Sequence, residues 1–199
     1  MLINTVTPSS LWLELTQIFD FSVDTTFKDY TYWYTSWGWL TIETANGWVT
    51  DGWSSYWNGS VYKEVNATKV WTRALINFNS TTITWNRGWG ISMHSRVPWY
   101  STWVYVDVQN WTKEIRCILN DVTQSATAIN ITLWNDYLVD SKFENWLYTG
   151  ILLDTSENVL ATTSYQSTDT EMKYIGFSMW NHGATPAFCR IKKFREWHE

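Results

Sequence analysis

Between Trp103 and Gln109 the chain sets Trp103, Tyr105, Asp107 and Gln109 at every second position, with Val104, Val106 and Val108 between them. Side chains along a strand alternate between faces, so this spacing puts two aromatic rings, a carboxylate and an amide on one side and three valines on the other. The same period runs through 71–78 and 89–94. There Trp71, Arg73, Asn77, Ser92 and His94 fall on the polar side, opposite Ala74, Ile76, Phe78, Trp89, Ile91 and Met93, with Leu75 as the exception. An aromatic ring can stack on the apolar face of a pyranose while planar polar side chains hydrogen-bond its hydroxyls. The chemistry that this pattern suits is saccharide binding. Trp71, Trp103 and Tyr105 are the expected platforms, with Arg73, Asn77, His94, Asp107 and Gln109 as donors and acceptors, all in one groove on one sheet. Asn86, Arg87 and Trp99, in the loops that flank these runs, are the expected rim. The same rings have an ordinary alternative use in covering the sheet, since Trp is highly buried on average.

Catalytic constellations are harder to find. Glu43, Glu64, Asp121, Asp136, Asp140, Glu144 and Asp154 read as solvated residues or local caps, the usual fate of single carboxylates in strands and turns. His94 is the one histidine in the body of the sequence, with His182 in a turn and His198 at the tail. The chain contains no GxSxG, HExxH, CxxC or Gly-rich phosphate loop. A non-enzyme with no cofactor and no metal site is expected.

These residues must be carried by a β framework. Strands are expected over 31–35, 39–43, 115–119, 129–133, 150–153, 159–163, 174–179 and 188–194, all rich in β-branched and aromatic residues. Asn46-Gly47 is the strongest hairpin-turn dipeptide, and Asp51-Gly52 and Asn58-Gly59 read as further turns. The stretch 11–19 reads as strand or short helix, and 141–146 as a helical turn. Many short strands without intervening helices mean a β-sandwich or barrel. With 199 residues, one domain over 11–199 behind an N-terminal arm, 1–10, accounts for the length. Such a domain buries roughly 70% of its unfolded surface without needing metal or disulfide staples.

Composition narrows the setting. Aromatic residues make up 18% of the chain, with 17 Trp, while charged residues make up 17%, below the ~25% of average domains. Ser, Thr and Asn do the solubilising, as suits an extracellular, cell-surface or virion protein. The net charge of −5 gives no basic field, and Arg190, Lys192, Lys193 and Arg195 are too few for a nucleic-acid footprint. No apolar run approaches the ~20 residues of a membrane-spanning helix, and the first residues lack the pattern of a signal peptide. Sequons at Asn58, Asn66, Asn79, Asn110 and Asn130 permit glycosylation. Cys117 and Cys189 are either bridged, which would stabilise the fold by about 4 kcal/mol, or two buried thiols. The bridge requires the final strand to lie beside 115–119.

Two segments resemble a known family. The Trp-rich approach to Gly47-Trp48 and Gly52-Trp53, and the closing Tyr174-Ile175-Gly176-Phe177 with Phe188-Cys189-Arg190-Ile191-Lys192, are similar to the opening and closing strands of concanavalin A-like lectin/glucanase domains. The resemblance implies a two-sheet antiparallel jelly-roll sandwich with ligands across its concave sheet. It also implies where the family 16 glycoside hydrolases would place their alternating carboxylates. Here those places hold Tyr105, Asp107 and Gln109, and two of the three cannot act as acids. The expected function is therefore non-catalytic binding of a saccharide or glycoprotein. A structural subunit of a viral coat, turret or filament, contacting copies of itself or its neighbours, stays open as an alternative, as does a glycoside hydrolase with a displaced active site.

Overall fold

The computed structural model describes residues 16–34, 40–51, 58–78, 87–97, 100–108, 113–119, 122–181 and 189–199. They form fifteen strands: β1 (Thr16–Asp20), β2 (Thr31–Tyr34), β3 (Leu40–Glu43), β4 (Trp48–Asp51), β5 (Asn58–Ala67), β6 (Val70–Phe78), β7 (Arg87–Val97), β8 (Tyr100–Val108), β9 (Lys113–Leu119), β10 (Val122–Ala128), β11 (Asp136–Glu144), β12 (Leu147–Leu153), β13 (Val159–Gln166), β14 (Met172–Asn181) and β15 (Cys189–His198). Sheet A has the order β13-β12-β11-β6-β15-β4-β3, with β1 also on β15. Sheet B has the order β10-β9-β8-β7-β14-β5-β2. Every pairing is antiparallel. The expected all-β, two-sheet sandwich is the observed fold. The arm 1–10 and the stretch 11–15 lie outside the described residues.

Alternation selects the core. Ala74, Ile76 and Phe78 of sheet A face Val104, Val106, Ile175 and Phe177 of sheet B in one buried cluster. Rings then tie the sheets together. Phe19 on β1 meets Phe177 on β14 edge-on at 5.9 Å, and Phe177 lies 5.3 Å from Phe194 on β15. Aromatic pairs of this kind add about 0.5–1.5 kcal/mol each beyond the area they bury. Beside them Glu196 of sheet A is buried and accepts hydrogen bonds from the Tyr30 hydroxyl and, at 2.9 Å, from Lys63 Nζ of sheet B. Burial and the neighbouring carboxylate push the Tyr30 hydroxyl well above the ordinary tyrosine range. At the other side of the sandwich Thr163 Oγ1 donates to Ser125 Oγ at 2.9 Å, linking β13 to β10. Gly150 lets the sheets approach here, since a Cβ would fall 2.5 Å from Val104 Cγ1.

The turns explain where the sequence reading held and where it failed. Asn46-Gly47 closes the β3–β4 hairpin with Gly47 at φ +71°, and the Asn46 and Gly47 amides both bond Glu43 O. Asn58-Gly59, expected as a turn, opens β5 instead, paired to β14. The expected strand over 129–133 is a connection, and 141–146 ends β11 and turns into β12 rather than forming a helical turn. Trp134 and Trp146 both hold positive φ, +70° and +63°. For a bulky L residue that conformation costs about 1–2 kcal/mol.

Cys117 is a free, buried thiol. The bridge to Cys189 is corrected: β15 runs in sheet A between β6 and β4, whereas β9 is in sheet B between β10 and β8. Burial pushes the Cys117 thiol up, away from reactivity.

Truncating Phe177 should test the role of the ring cluster. Phe177→Ala is expected to lower stability by about 3–5 kcal/mol, read as a lower urea midpoint. A change under about 1 kcal/mol, the size of an ordinary surface effect, would remove the cluster from its place between the sheets.

Candidate functional site

Strand order divides the expected groove. β6 is central in sheet A, while β7 and β8 are neighbours in sheet B. Trp71, Arg73 and Asn77 therefore do not share a surface with His94, Trp103, Tyr105 and Asp107, and the single groove read from the sequence is corrected to two faces. The reason is the connection after Phe78, which carries the chain from one sheet to the other. Consecutive strands are sheet neighbours in only about two-thirds of cases.

On sheet A the three residues already have partners. Arg73 pairs in register with Asp140 and is 1% exposed. Its Nε bonds Asp140 Oδ1, its Nη2 lies 2.6 Å from Asp140 Oδ2, and its Nη1 is 3.5 Å from Glu157 Oε2. Burial pushes the Asp140 carboxyl upward, and the Arg73 guanidinium pulls against it. Asn77 Nδ2 donates to Trp134 O at 2.8 Å and to Asp136 Oδ1 at 3.0 Å, while Lys192 Nζ holds Asp136 Oδ2 at 2.8 Å. Trp71 is buried beneath Lys142, whose Nζ stands 4.2 Å from the ring centroid. Burial lowers the Lys142 pKa. These groups hold β6, β11 and β15 together.

Sheet B keeps the other half of the expectation together. Val104, Val106 and Val108 are buried in the core, so alternation assigns positions 103, 105 and 107 to the outer face. Cross-strand register then lays out that face. Tyr105 pairs with Gly90 and Arg116, Trp103 with Ser92 and Ile118, and Asp107 with Gly88 and Glu114. His94 pairs with Tyr174, which pairs with Glu64. Between these positions run small residues: Ser92 pairs with Gly176, and Gly90 with Ser178. Tyr62 flanks Gly176 on β5 and meets Tyr174 edge-on at 5.6 Å. Burial pushes the Tyr62 hydroxyl up. Glycines inside a strand mark places where another backbone or a ligand comes close. Gly176 tolerates no side chain, because a Cβ would fall 1.9 Å from Val61 O. The Ser178 hydroxyl is buried without a hydrogen-bond partner among the described residues. The face is thus a floor of Gly and Ser between Tyr62 on one side and the Trp103 and Tyr105 positions on the other.

The rest of the expected site distributes as follows. Arg87 opens β7 opposite Asn181, with the strand parity of Ile91 rather than of Gly88. That removes it from the groove face. Asn86, Trp99, Gln109, Asn79 and Asn110 lie outside the described residues. Asn66 is exposed near the end of β5, with its amide 3.1 Å from Glu64 Oε1, and Asn130 is exposed before β11. Asn58 opens β5 opposite Trp180. Among the described residues no three His, Cys, Asp or Glu side chains gather where they could hold a metal ion. The sequence reading passed over the Gly88, Gly90, Ser92 and Gly176, Ser178 floor. Its signal was present: small residues at a two-residue period, opposite apolar ones.

By sequence the chain matches no family model and no curated protein. In fold it is similar to the two-sheet sandwiches of solved lectin domains. It is similar to the VIP36 exoplasmic/lumenal domain in a Ca2+/Man3GlcNAc-bound form (TM-score 0.68, 8% identity, covering 93% of this chain and 90% of that one). The Lotus tetragonolobus seed lectin gives a TM-score of 0.66 at 10% identity, with 92% and 98% covered. Winged bean acidic lectin, complexed with methyl-α-D-galactose, gives 0.66 at 13%, with 92% and 97% covered.

The structural assignment of Arg73 has a direct test. Asp140→Ala leaves a buried guanidinium poorly compensated and should cost about 3–5 kcal/mol. Replacing both partners by apolar residues, Arg73→Met with Asp140→Leu, should recover most of that loss in urea denaturation. An Asp140→Ala protein as stable as the parent would return Arg73 to the list of ligand candidates.

Proposed function

We propose that the protein is a non-catalytic, lectin-like saccharide-binding domain that uses the outer face of sheet B. The observation that carries this reading is the Gly/Ser floor bounded by aromatic positions. Small floor residues let a flat ring approach the backbone, and the flanking rings offer stacking surfaces. His94, Asp107, Glu114 and Arg116 supply hydrogen-bonding groups along the same rows. The likeness to a glycan-bound exoplasmic/lumenal domain and to a lectin complexed with methyl-α-D-galactose supports a saccharide ligand and an extracellular or lumenal setting.

A hydrolase reading draws on one observation. Asp107 and Glu114 pair directly across β8 and β9, and directly opposed residues sit close enough for a carboxylate pair. Retaining cleavage, however, needs one of the two protonated as the acid. Glu114 Oε2 accepts from Arg116 Nε at 2.8 Å, so one of the two carboxylates is already engaged within its own strand. The pair suits binding better than acid catalysis.

Trp103→Ala is expected to weaken binding on a glycan array by roughly tenfold, about 1.4 kcal/mol, with an unchanged unfolding midpoint. Tyr62→Ala should act in the same direction from the other side of the floor. A stable Trp103→Ala protein with undiminished glycan binding would defeat the groove. Release of reducing sugar that disappears in Asp107→Asn would establish the hydrolase instead.

A further inference from the structure

Trp134 has a different cost and a different place. It sits in the turn before β11, at φ +70°, with its indole 64% exposed. Glycine or asparagine would adopt this backbone with less strain, and an apolar residue of this size gains most by burial. The residue is thus poorly chosen for the turn and poorly used by the core. Strained, exposed residues of this kind cluster at functional sites. Trp146 shares the positive φ, but as the second residue of a two-residue hairpin turn, and its carbonyl accepts from Ser167 N and Gln166 Nε2. The Trp134 backbone is likewise tied down, its N–H donating to Phe78 O at 2.7 Å and its carbonyl accepting from Asn77 Nδ2 at 2.8 Å, so the case for Trp134 rests on what surrounds its ring.

Trp134 also borders a cavity of about 560 Å³, lined further by Asn130, Asn135, Asp136, Asp154, Thr155 and Lys192 among others. That volume is within the range of ligand pockets, roughly 300–1,000 Å³. The Asn130 and Asn135 side-chain amides are exposed and have no hydrogen-bond partner among the described residues. The carboxylates are fixed in place. Asp136 is held by Asn77 and Lys192, and Asp154 by the Ser156 and Asn158 amides and the Asn158 side chain. Each still has acceptor lone pairs to offer. The Arg190 guanidinium lies 5.4 Å from the Trp134 ring centroid. The charged lining is thus Asp136 and Asp154 against Lys192, a net charge of −1.

An exposed ring, free planar amides, fixed acceptors and a slightly negative lining that disfavours anions describe a receptor for a neutral, hydroxyl-rich molecule. A protein-interface core would instead be apolar and depleted in charge. We infer that this cavity is a second saccharide site, at the β10–β11 connection beside sheet A, separate from the face of sheet B, for neutral sugar rings stacked on Trp134. It does not rest on the groove reading. The protein would then carry two sites on different sheets and could cross-link glycans as a single chain.

The sugar could be a free oligosaccharide or a glycan attached to Asn130, which begins an Asn-Ile-Thr sequon and lines the same cavity. The experiment uses the full chain made in a bacterial host, without glycans, and again in a eukaryotic host. Both are probed on an array of neutral gluco-, manno-, galacto- and xylo-oligosaccharides, with sialylated glycans as the charged arm. Trp134→Asn should lose at least tenfold in affinity for a neutral oligosaccharide that Trp103→Ala still binds. Its unfolding midpoint should not fall, because Asn tolerates the left-handed backbone. Binding of free sugar by both preparations assigns a free ligand, and binding only by the unglycosylated one assigns the chain's own glycan. The inference is overturned if Trp134→Asn and the parent give the same array, if only sialylated glycans depend on Trp134, or if Trp134→Asn melts several degrees lower, since the indole would then be held for the fold. If Trp103→Ala changes nothing while Trp134→Asn removes binding, the groove reading fails and this one stands. No binding by the parent sinks both.

Discussion

Glu196 lies buried between the sheets, and the rest of the sandwich depends on its being met from both sides. It belongs to β15, the strand that β1, β4 and β6 all pair with, so its position is coupled to half of sheet A. Its partners, the Tyr30 hydroxyl and Lys63 Nζ, come from β5 and the approach to β2, at the edge of sheet B. An unpaired carboxylate at this depth would cost several kcal/mol. The two sheets can therefore slide past each other only by breaking this contact. Lys63 Nζ also lies 5.9 Å from the Tyr30 ring, so the ammonium is anchored twice. The phenylalanine rings beside them fill the same gap with apolar surface. Polar clamp and ring cluster thus fix one relative placement of the sheets, and the outer faces inherit their geometry from it.

What could be read from the sequence was the part governed by short-range alternation. The valines of β8, the Ala74, Ile76 and Phe78 set of β6 and the Ile175 and Phe177 pair of β14 declare their inward face by period alone. The Asn46-Gly47 turn declared itself through backbone chemistry. Three strands escaped: β5 because its Asn58-Gly59 start reads as a turn, and two others for opposite reasons. β10 is a run of Val, Thr, Gln, Ser and Ala at the edge of sheet B, mostly exposed, with too little apolar content to show a face. β11 has Asp140, Ser141 and Lys142 in its middle, because its outer face holds buried ion pairs rather than solvent. The run 129–133 failed the other way. Ile131 is buried and the stretch alternates, yet it serves as the connection between the sheets and its residues make no ladder.

The division of the expected groove has a general physical cause. A polar side chain pointing away from the core has three fates: solvent, ligand or a buried partner. Periodicity cannot separate them. For Arg73 the deciding fact is Asp140, 67 residues further along and directly across the β6–β11 ladder. No local pattern reveals such a partner. The β8 residues differ because their cross-strand neighbours are small. Gly88, Gly90 and Ser92 on one side give Asp107, Tyr105 and Trp103 nothing bulky to pack against. A row of glycines in a central strand weakens the sheet it belongs to.

The same comparison bears on how the two faces differ in use. Sheet A turns its outer charges on one another: Arg73 with Asp140, Lys192 with Asp136 and Lys193 with Asp20. The Asp20 carboxyl is drawn down to about 2, first by its hydrogen bond to Ser22 and then by Lys193. Its contribution to stability is therefore present above the ordinary aspartate range and lost only as the pH falls through about 2. Stabilisation of this kind needs both partners committed, so a face built this way is closed to ligands over most of its area. Its opening lies at the margin, where the ladder ends at Asp136 and the chain turns through Trp134. Sheet B follows the reverse plan, with a weakened centre and rings at the sides. The two sites proposed above thus fall where the strands give up some of their own pairing or packing.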